Sequence, residues 1–181
     1  MKKWRKDNGL KVIAIVGSKS SGKTTTIEIL TRELTKRGYK IAAIKHIPEK
    51  NFTIDTEGKD TWRFARSGAT KIISVAPNEI ATIEKTNQEN FSLKEILKKC
   101  EKHDIVFIEG FRKLIGKNSE APKIITVKSA AEAEEALKIF KPILAFTGPY
   151  STENLNLEIP YIDLSKNPKK LADLVEKMVR K

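Results

Sequence analysis

Residues 17–25 read Gly17-Ser18-Lys19-Ser20-Ser21-Gly22-Lys23-Thr24-Thr25, and the first eight match the phosphate-binding template G-x-x-x-x-G-K-[ST] at every fixed position. Such a loop turns successive backbone N–H groups toward phosphate oxygens, and Gly17 and Gly22 admit the angles and close approach that this demands. Lys23 would neutralise the β and γ phosphates, and Thr24 would offer its hydroxyl to Mg²⁺. The chemistry implied is binding of a nucleoside triphosphate. A glycine-serine turn that only caps a helix is the alternative.

The flanks favour the first reading. Val12–Val16 is an apolar run of strand type, and residues 24–37 carry Ile27, Leu30 and Leu34 at helical spacing. Strand, loop and helix thus come in the order that aims the positive end of a helix at the phosphates. Further strands are predicted at 40–45, 71–76, 80–84, 105–108, 123–127 and 143–146, with Tyr161-Ile162 as a short addition. Helices are predicted at 60–67, at 92–102 and after Ser129, the latter two opened by the capping boxes Ser92 with Glu95 and Ser129 with Glu132, and from Asn167-Pro168, as cap and first residue, to about Arg180. Gly38 is placed to end the first helix, and Pro77-Asn78 to turn a hairpin. This alternation predicts an α/β fold of the P-loop NTPase type: a mostly parallel, twisted sheet flanked by helices, with one β-hairpin insertion. The 181 residues are read as a single domain, with 1–9 as a basic tail.

Topology then selects the acidic partner of the metal. In an open parallel sheet, ligands gather beyond the carboxyl ends of the strands. Glu109 follows the run Ile105-Val106-Phe107-Ile108 whereas Asp104 precedes it, so Glu109 shares an edge with the phosphate loop and Asp104 does not. Gly110 would let the chain turn sharply there. Thr147-Gly148-Pro149 ends another strand at the same edge and is read either as part of a base pocket or as a plain turn. The guanine-reading motif Asn-Lys-x-Asp is absent, and Ser18 occupies the place five before Lys23 where some P-loop proteins carry a second lysine.

Composition narrows the classes. A formal net charge of +12 suggests a polyanionic partner, but the lysines are scattered and the aromatic residues are not interleaved with them, which argues against a nucleic-acid stacking platform. No run approaches the ~18 apolar residues of a membrane span, and the basic N-terminus lacks the apolar core of a signal peptide; a cytoplasmic location is expected. Cys100 is the single cysteine, which excludes an intrachain disulfide and a cysteine cluster for metal.

A second set of residues carries a resemblance. Lys45-His46, then Phe52-Thr53-Ile54-Asp55, Gly58-Lys59-Asp60-Thr61-Trp62-Arg63, Ser67-Gly68-Ala69 and later Phe107-Ile108-Glu109-Gly110-Phe111 together resemble the MobB family, the accessory proteins of molybdopterin guanine dinucleotide biosynthesis. Ser67 departs from the small apolar residue expected in that family, and the stretch after Val127 offers no matching motif. The resemblance implies a GTP-binding, weakly hydrolysing homodimer that uses Mg²⁺ and assists the nucleotidyltransferase MobA or delivery of molybdopterin or its guanine dinucleotide. It implies Thr24 and Glu109 at the metal with Asp55 as a second acid, and Lys45, His46 and Asp60 as contacts to a second ligand or as a switch. The alternative on the same scaffold is an ATP-dependent small-molecule kinase or ligase.

Overall fold

Apolar runs of four or five residues build the centre of the fold. In the computed structural model, which describes residues 10–86, 92–116, 118–155 and 157–180, the strands β1 (Lys11–Gly17), β2 (Ile41–Lys45), β5 (Ile105–Glu109), β6 (Lys123–Thr126) and β7 (Ile143–Thr147) form one sheet. Its order is β2-β5-β1-β6-β7, and every pairing is parallel. Phe146 also makes a parallel bridge to Tyr161, the short addition expected there. Helices α1 (Lys23–Lys36), α3 (Leu93–Lys98), α4 (Arg112–Gly116), α5 (Ala130–Ile139) and α6 (Pro168–Val179) connect or follow these strands. Residues up to His46 and from Lys94 onward make one compact unit, and Ile47–Leu93 make another. The segment 1–9, read as a basic tail, lies outside the described residues.

Alternation along β1 explains why the sheet is covered twice. Ile13 and Ile15 join Leu30 and Leu34 of α1 and Leu171, Ala172 and Val175 of α6 in one core, while the intervening Ala14 and Val16 are also buried. Strands buried on both faces read as continuous apolar runs, as these do. The first helix ends as Gly38 dictates: its φ is +89°, the Tyr39 N–H reaches the Leu34 carbonyl and the Gly38 N–H that of Thr35. Those two bonds satisfy carbonyls that a helix end leaves open.

Three local expectations are corrected. The helix expected over 92–102 is helical only over Leu93–Lys98, because Lys99, Cys100 and Glu101 bond three residues back and tighten into turns. The Ser129 hydroxyl accepts the Glu132 N–H as a capping box requires, but the Glu132 carboxylate takes the N–H of Lys128 and not of Ser129. Asn167 precedes Pro168 at the start of α6, yet its side chain makes no capping hydrogen bond.

The second unit holds α2 (Asp60–Arg66) and the antiparallel hairpin β3 (Lys71–Ala76) and β4 (Glu79–Glu84). A two-stranded hairpin is marginal alone. Ile72 and its cross-strand partner Ile83 are turned inward, whereas Ile73, Val75 and Ile80 on the other face are exposed.

Candidate functional site

The phosphate loop is shaped by backbone before any side chain enters. Ser20 has φ 58° and Gly22 φ +97°, so the chain passes twice through the left-handed region between β1 and α1. Alternation of this kind aims consecutive N–H groups into one concavity. No side chain caps α1, which leaves its first N–H groups free to meet an anion. A Cβ at Gly17 would collide with the hydroxyl and carbonyl of Thr126 and with the Ser21 hydroxyl, so only glycine fits there.

Neighbouring elements brace the loop. The buried Ser21 hydroxyl donates to the Ser18 carbonyl at 2.9 Å and lies 2.5 Å from Thr126 Oγ1, and Lys128 Nζ donates to the Lys19 carbonyl at 3.0 Å. Thr126 and Lys128 were not singled out from the sequence. Parallel pairing puts Thr126 opposite Gly17, and a small hydroxyl residue at the carboxyl end of a strand beside the loop is the signal that points to it. Lys23 Nζ donates to the Ser18 carbonyl at 2.6 Å, so the lysine rests on its own loop.

Glu109 lies where the topology put it. It ends β5 in register with Ile15 and Lys45, and its Oε2 accepts from Thr24 Oγ1 at 3.2 Å. Its Oε1 is 3.7 Å from Lys45 Nζ; the Glu109 side chain is 12 % exposed and that of Lys45 58 %. Asp104 is at the opposite edge, where Oδ2 accepts the Lys40 N–H at 2.7 Å. The structure thus brings Thr24, Glu109 and Lys45 together. His46 follows directly: its N–H donates to the Glu109 carbonyl at 2.9 Å, and its ring lies 4.4 Å from that of Phe111. Gly110 has φ +92°, and a Cβ there would come within 3.0 Å of His46 Cβ. Ser20 and Phe111 are the two non-glycine residues with positive φ among those described, and both lie in these two loops. Strain of this kind collects at ligand sites and switches.

Thr24 and Glu109 supply hard oxygen donors, the kind Mg²⁺ takes when most of its shell comes from water and phosphate. Among the described residues no group of three or more His, Cys, Asp or Glu could hold a metal alone. The donor set therefore suits a metal that arrives with a phosphate chain. Asp55 and Asp60 belong to the second unit. Asp55 Oδ1 accepts from the Thr56 N–H and the Thr61 hydroxyl, both at 2.9 Å, while Asp60 is exposed and 3.5 Å from Arg63. Trp62 is partly buried, with the Arg66 guanidinium 5.7 Å from its ring.

A parallel sheet with this loop between its first strand and helix, and an acid at the end of the adjoining strand, defines the P-loop NTPase class of fold. Residues 12–148 match the family model described as molybdopterin guanine dinucleotide synthesis protein B, and the chain belongs to that family. It is 30% identical over 173 residues to a molybdopterin-guanine dinucleotide biosynthesis adapter protein of Haemophilus influenzae, covering 94% of this chain and 90% of that one. A putative adapter protein of Methanocaldococcus jannaschii is 36% identical over 121 residues, 66% of this chain and 48% of its own. Among solved structures, molybdopterin-guanine biosynthesis protein B superposes with a TM-score of 0.72 at 26% identity, over 94% of this chain and 99% of its own. No helix among the described residues is long and apolar enough to cross a membrane.

Proposed function

We propose that this chain is an adapter in molybdopterin guanine dinucleotide biosynthesis that binds GTP with Mg²⁺ in the loop Gly17–Thr25 and assists the nucleotidyltransferase MobA as a homodimer. The observation that carries the nucleotide part is the 3.2 Å contact between Thr24 and Glu109 behind an uncapped helix start. The pathway part is supported by family membership and by the adapter role of the relatives.

In this reading Lys23 and the loop N–H groups would hold the phosphates, Thr24 and Glu109 would hold the metal, and the metal would supply charge neutralisation. Lys45, 3.7 Å from the Glu109 carboxylate, and His46, bonded to the Glu109 carbonyl, would be the residues that sense the terminal phosphate. That is how a switch would be built here. Hydrolysis is expected to be slow, well below roughly 10 s⁻¹, because no Gln, Arg or Asp stands out as the group that positions water.

Thermal unfolding with GTP, with ATP and with neither, each with and without Mg²⁺, tests this. A ligand at about 100 times its dissociation constant adds roughly 2.7 kcal/mol of stability. A Mg²⁺-dependent rise with GTP but not ATP is expected, and light scattering should then give the mass of a dimer. An equal rise with ATP would sink the guanine assignment and point to a small-molecule acceptor.

A further inference from the structure

Beside the phosphate loop lies a cavity of about 290 Å³, at the low end of ligand sites, whose lining includes Pro149, Glu153, Tyr161, Asp163, Lys166 and Asn167. Two loops build it, one leaving β7 and one following the bridge at Tyr161, both at the carboxyl edge of the sheet. The Tyr161 hydroxyl ties them by donating to the Gly148 carbonyl at 2.7 Å. Gly148 in turn packs on the phosphate loop: a Cβ there would come within 3.0 Å of the Ser21 carbonyl. The cavity therefore adjoins the phosphate loop through one residue.

We propose that this cavity takes the guanine ring of bound GTP, with the Asp163 carboxylate accepting from N1–H and the 2-amino group and the Asn167 amide donating to O6. The inference rests on the GTP reading above.

Asp163 is prepared for this role. Its Oδ1 accepts from the Ser165 hydroxyl at 2.6 Å and the Ser165 N–H at 2.9 Å, which fixes the group and holds its carboxyl below the usual carboxylate range. Oδ2 lies 3.6 Å from the Lys166 ammonium, the Lys166 N–H also reaches the carboxylate, and a third of the side chain is open. An ionised carboxylate only accepts hydrogen bonds, as the N1–H and 2-amino edge of guanine requires. Asn167 stands at the start of α6 without capping it, so its amide is uncommitted to the helix. Adenine reverses the pattern: its N1 acceptor would face the carboxylate and its 6-amino donor the amide donor. Unpaired or repelling polar groups reject the wrong ligand more strongly than lost apolar contact does. Pro149 and the stems of Lys166 and Lys170 offer apolar cover for the ring.

The test is titration calorimetry of the full chain in Mg²⁺ with GTP, ATP, XTP and inorganic triphosphate. Wild type should prefer GTP to ATP and XTP by at least about tenfold, the scale of one good polar contact. Asp163→Asn keeps an oxygen for Ser165 but presents an N–H to the 2-oxo group of xanthine. Its affinity for GTP relative to triphosphate should fall by about tenfold and that for XTP should rise. Asn167→Ala, which removes no helix-capping hydrogen bond, should lower the same GTP ratio and keeps the test open if Asp163→Asn does not fold. Unchanged ratios in the folded variants, or equal GTP and ATP binding by wild type alongside triphosphate binding, overturn the base pocket and leave the phosphate site standing. Failure of wild type to bind even triphosphate overturns both.

Discussion

Glu109 answers to two neighbours, Thr24 and Lys45, and on the proposed reading its substitution would separate metal binding from phosphate binding. Glu109→Gln keeps an oxygen for the Thr24 hydroxyl but removes the charge that a divalent cation needs. At limiting Mg²⁺ the variant should bind GTP about tenfold more weakly, about 1.4 kcal/mol, with binding in chelator unchanged; equal affinities at limiting Mg²⁺ would remove Glu109 from the metal. A different residue-scale test falls on Lys123, which opens β6 fully buried with its ammonium donating to the carbonyls of Asn118 and Lys141. Burial pushes this lysine down to about 8 from the ordinary 10.5. Between those values the unfolded chain binds more protons than the folded one, so this group makes stability rise with pH across that window and leaves its full cost below it. Lys123→Met should flatten that part of the profile in denaturant titrations from pH 7.5 to 10.5. A wild-type profile already flat there would show that the two carbonyls hold the charged form as well as water does.

At the scale of elements, α6 is held to α1 by two kinds of contact of unequal weight. Leu171, Ala172 and Val175 are buried against Leu30 and Leu34, while Arg37 reaches Asp173 at 2.7 Å and Glu176 at 2.9 Å over the top. Leu171→Ala should cost about 2–5 kcal/mol in denaturant unfolding. Arg37→Ala should cost less, and its effect should shrink in high salt because Asp173 is solvent-exposed. If the arginine variant were the more damaging, the ion pairs and not the core would be what docks α6. The elements that the sequence revealed are the ones with a strong local cause: the apolar runs of β1 and β5, Gly38 after α1, and Pro168 opening α6. Helix α4 was missed because five residues starting Arg112-Lys113 carry too little periodicity to announce a helix. The brace from Thr126 and Lys128 was missed because it depends on which strand lies beside β1, a fact of topology and not of local pattern. Glu109 over Asp104 was legible for the opposite reason, since strand direction alone decides it.

Over the whole molecule, burial is distributed unevenly. Strands β1, β5 and β6 are almost wholly enclosed, while the hairpin β3 and β4 presents Ile73, Val75 and Ile80 to solvent. Amides in well-buried strands exchange through global unfolding, and those in thinly packed units exchange through local opening. Hydrogen exchange should therefore place peptides from 71–84 well ahead of those from 105–109 and 123–126; uniform protection would show that the hairpin unit opens only with the rest. The net charge of +12 acts at the same scale. It should speed the encounter with a polyphosphate at low ionic strength, an effect that stopped-flow mixing would see fade as salt is raised.

The resting contact of Lys23 with the Ser18 carbonyl adds a threshold to that attraction. Any anion entering the loop must outbid a bond already made, and a single orthophosphate offers one group of oxygens in exchange for it. A chain of phosphates would meet the lysine, the helix start and the loop amides at once, and so would recover several bonds for the one it breaks. On the proposed reading the loop would act as a filter by ligand length. Free phosphate, however abundant, should be a poor competitor, and the protein should answer to the triphosphate level around it without being blunted by the commonest anion of the same chemistry.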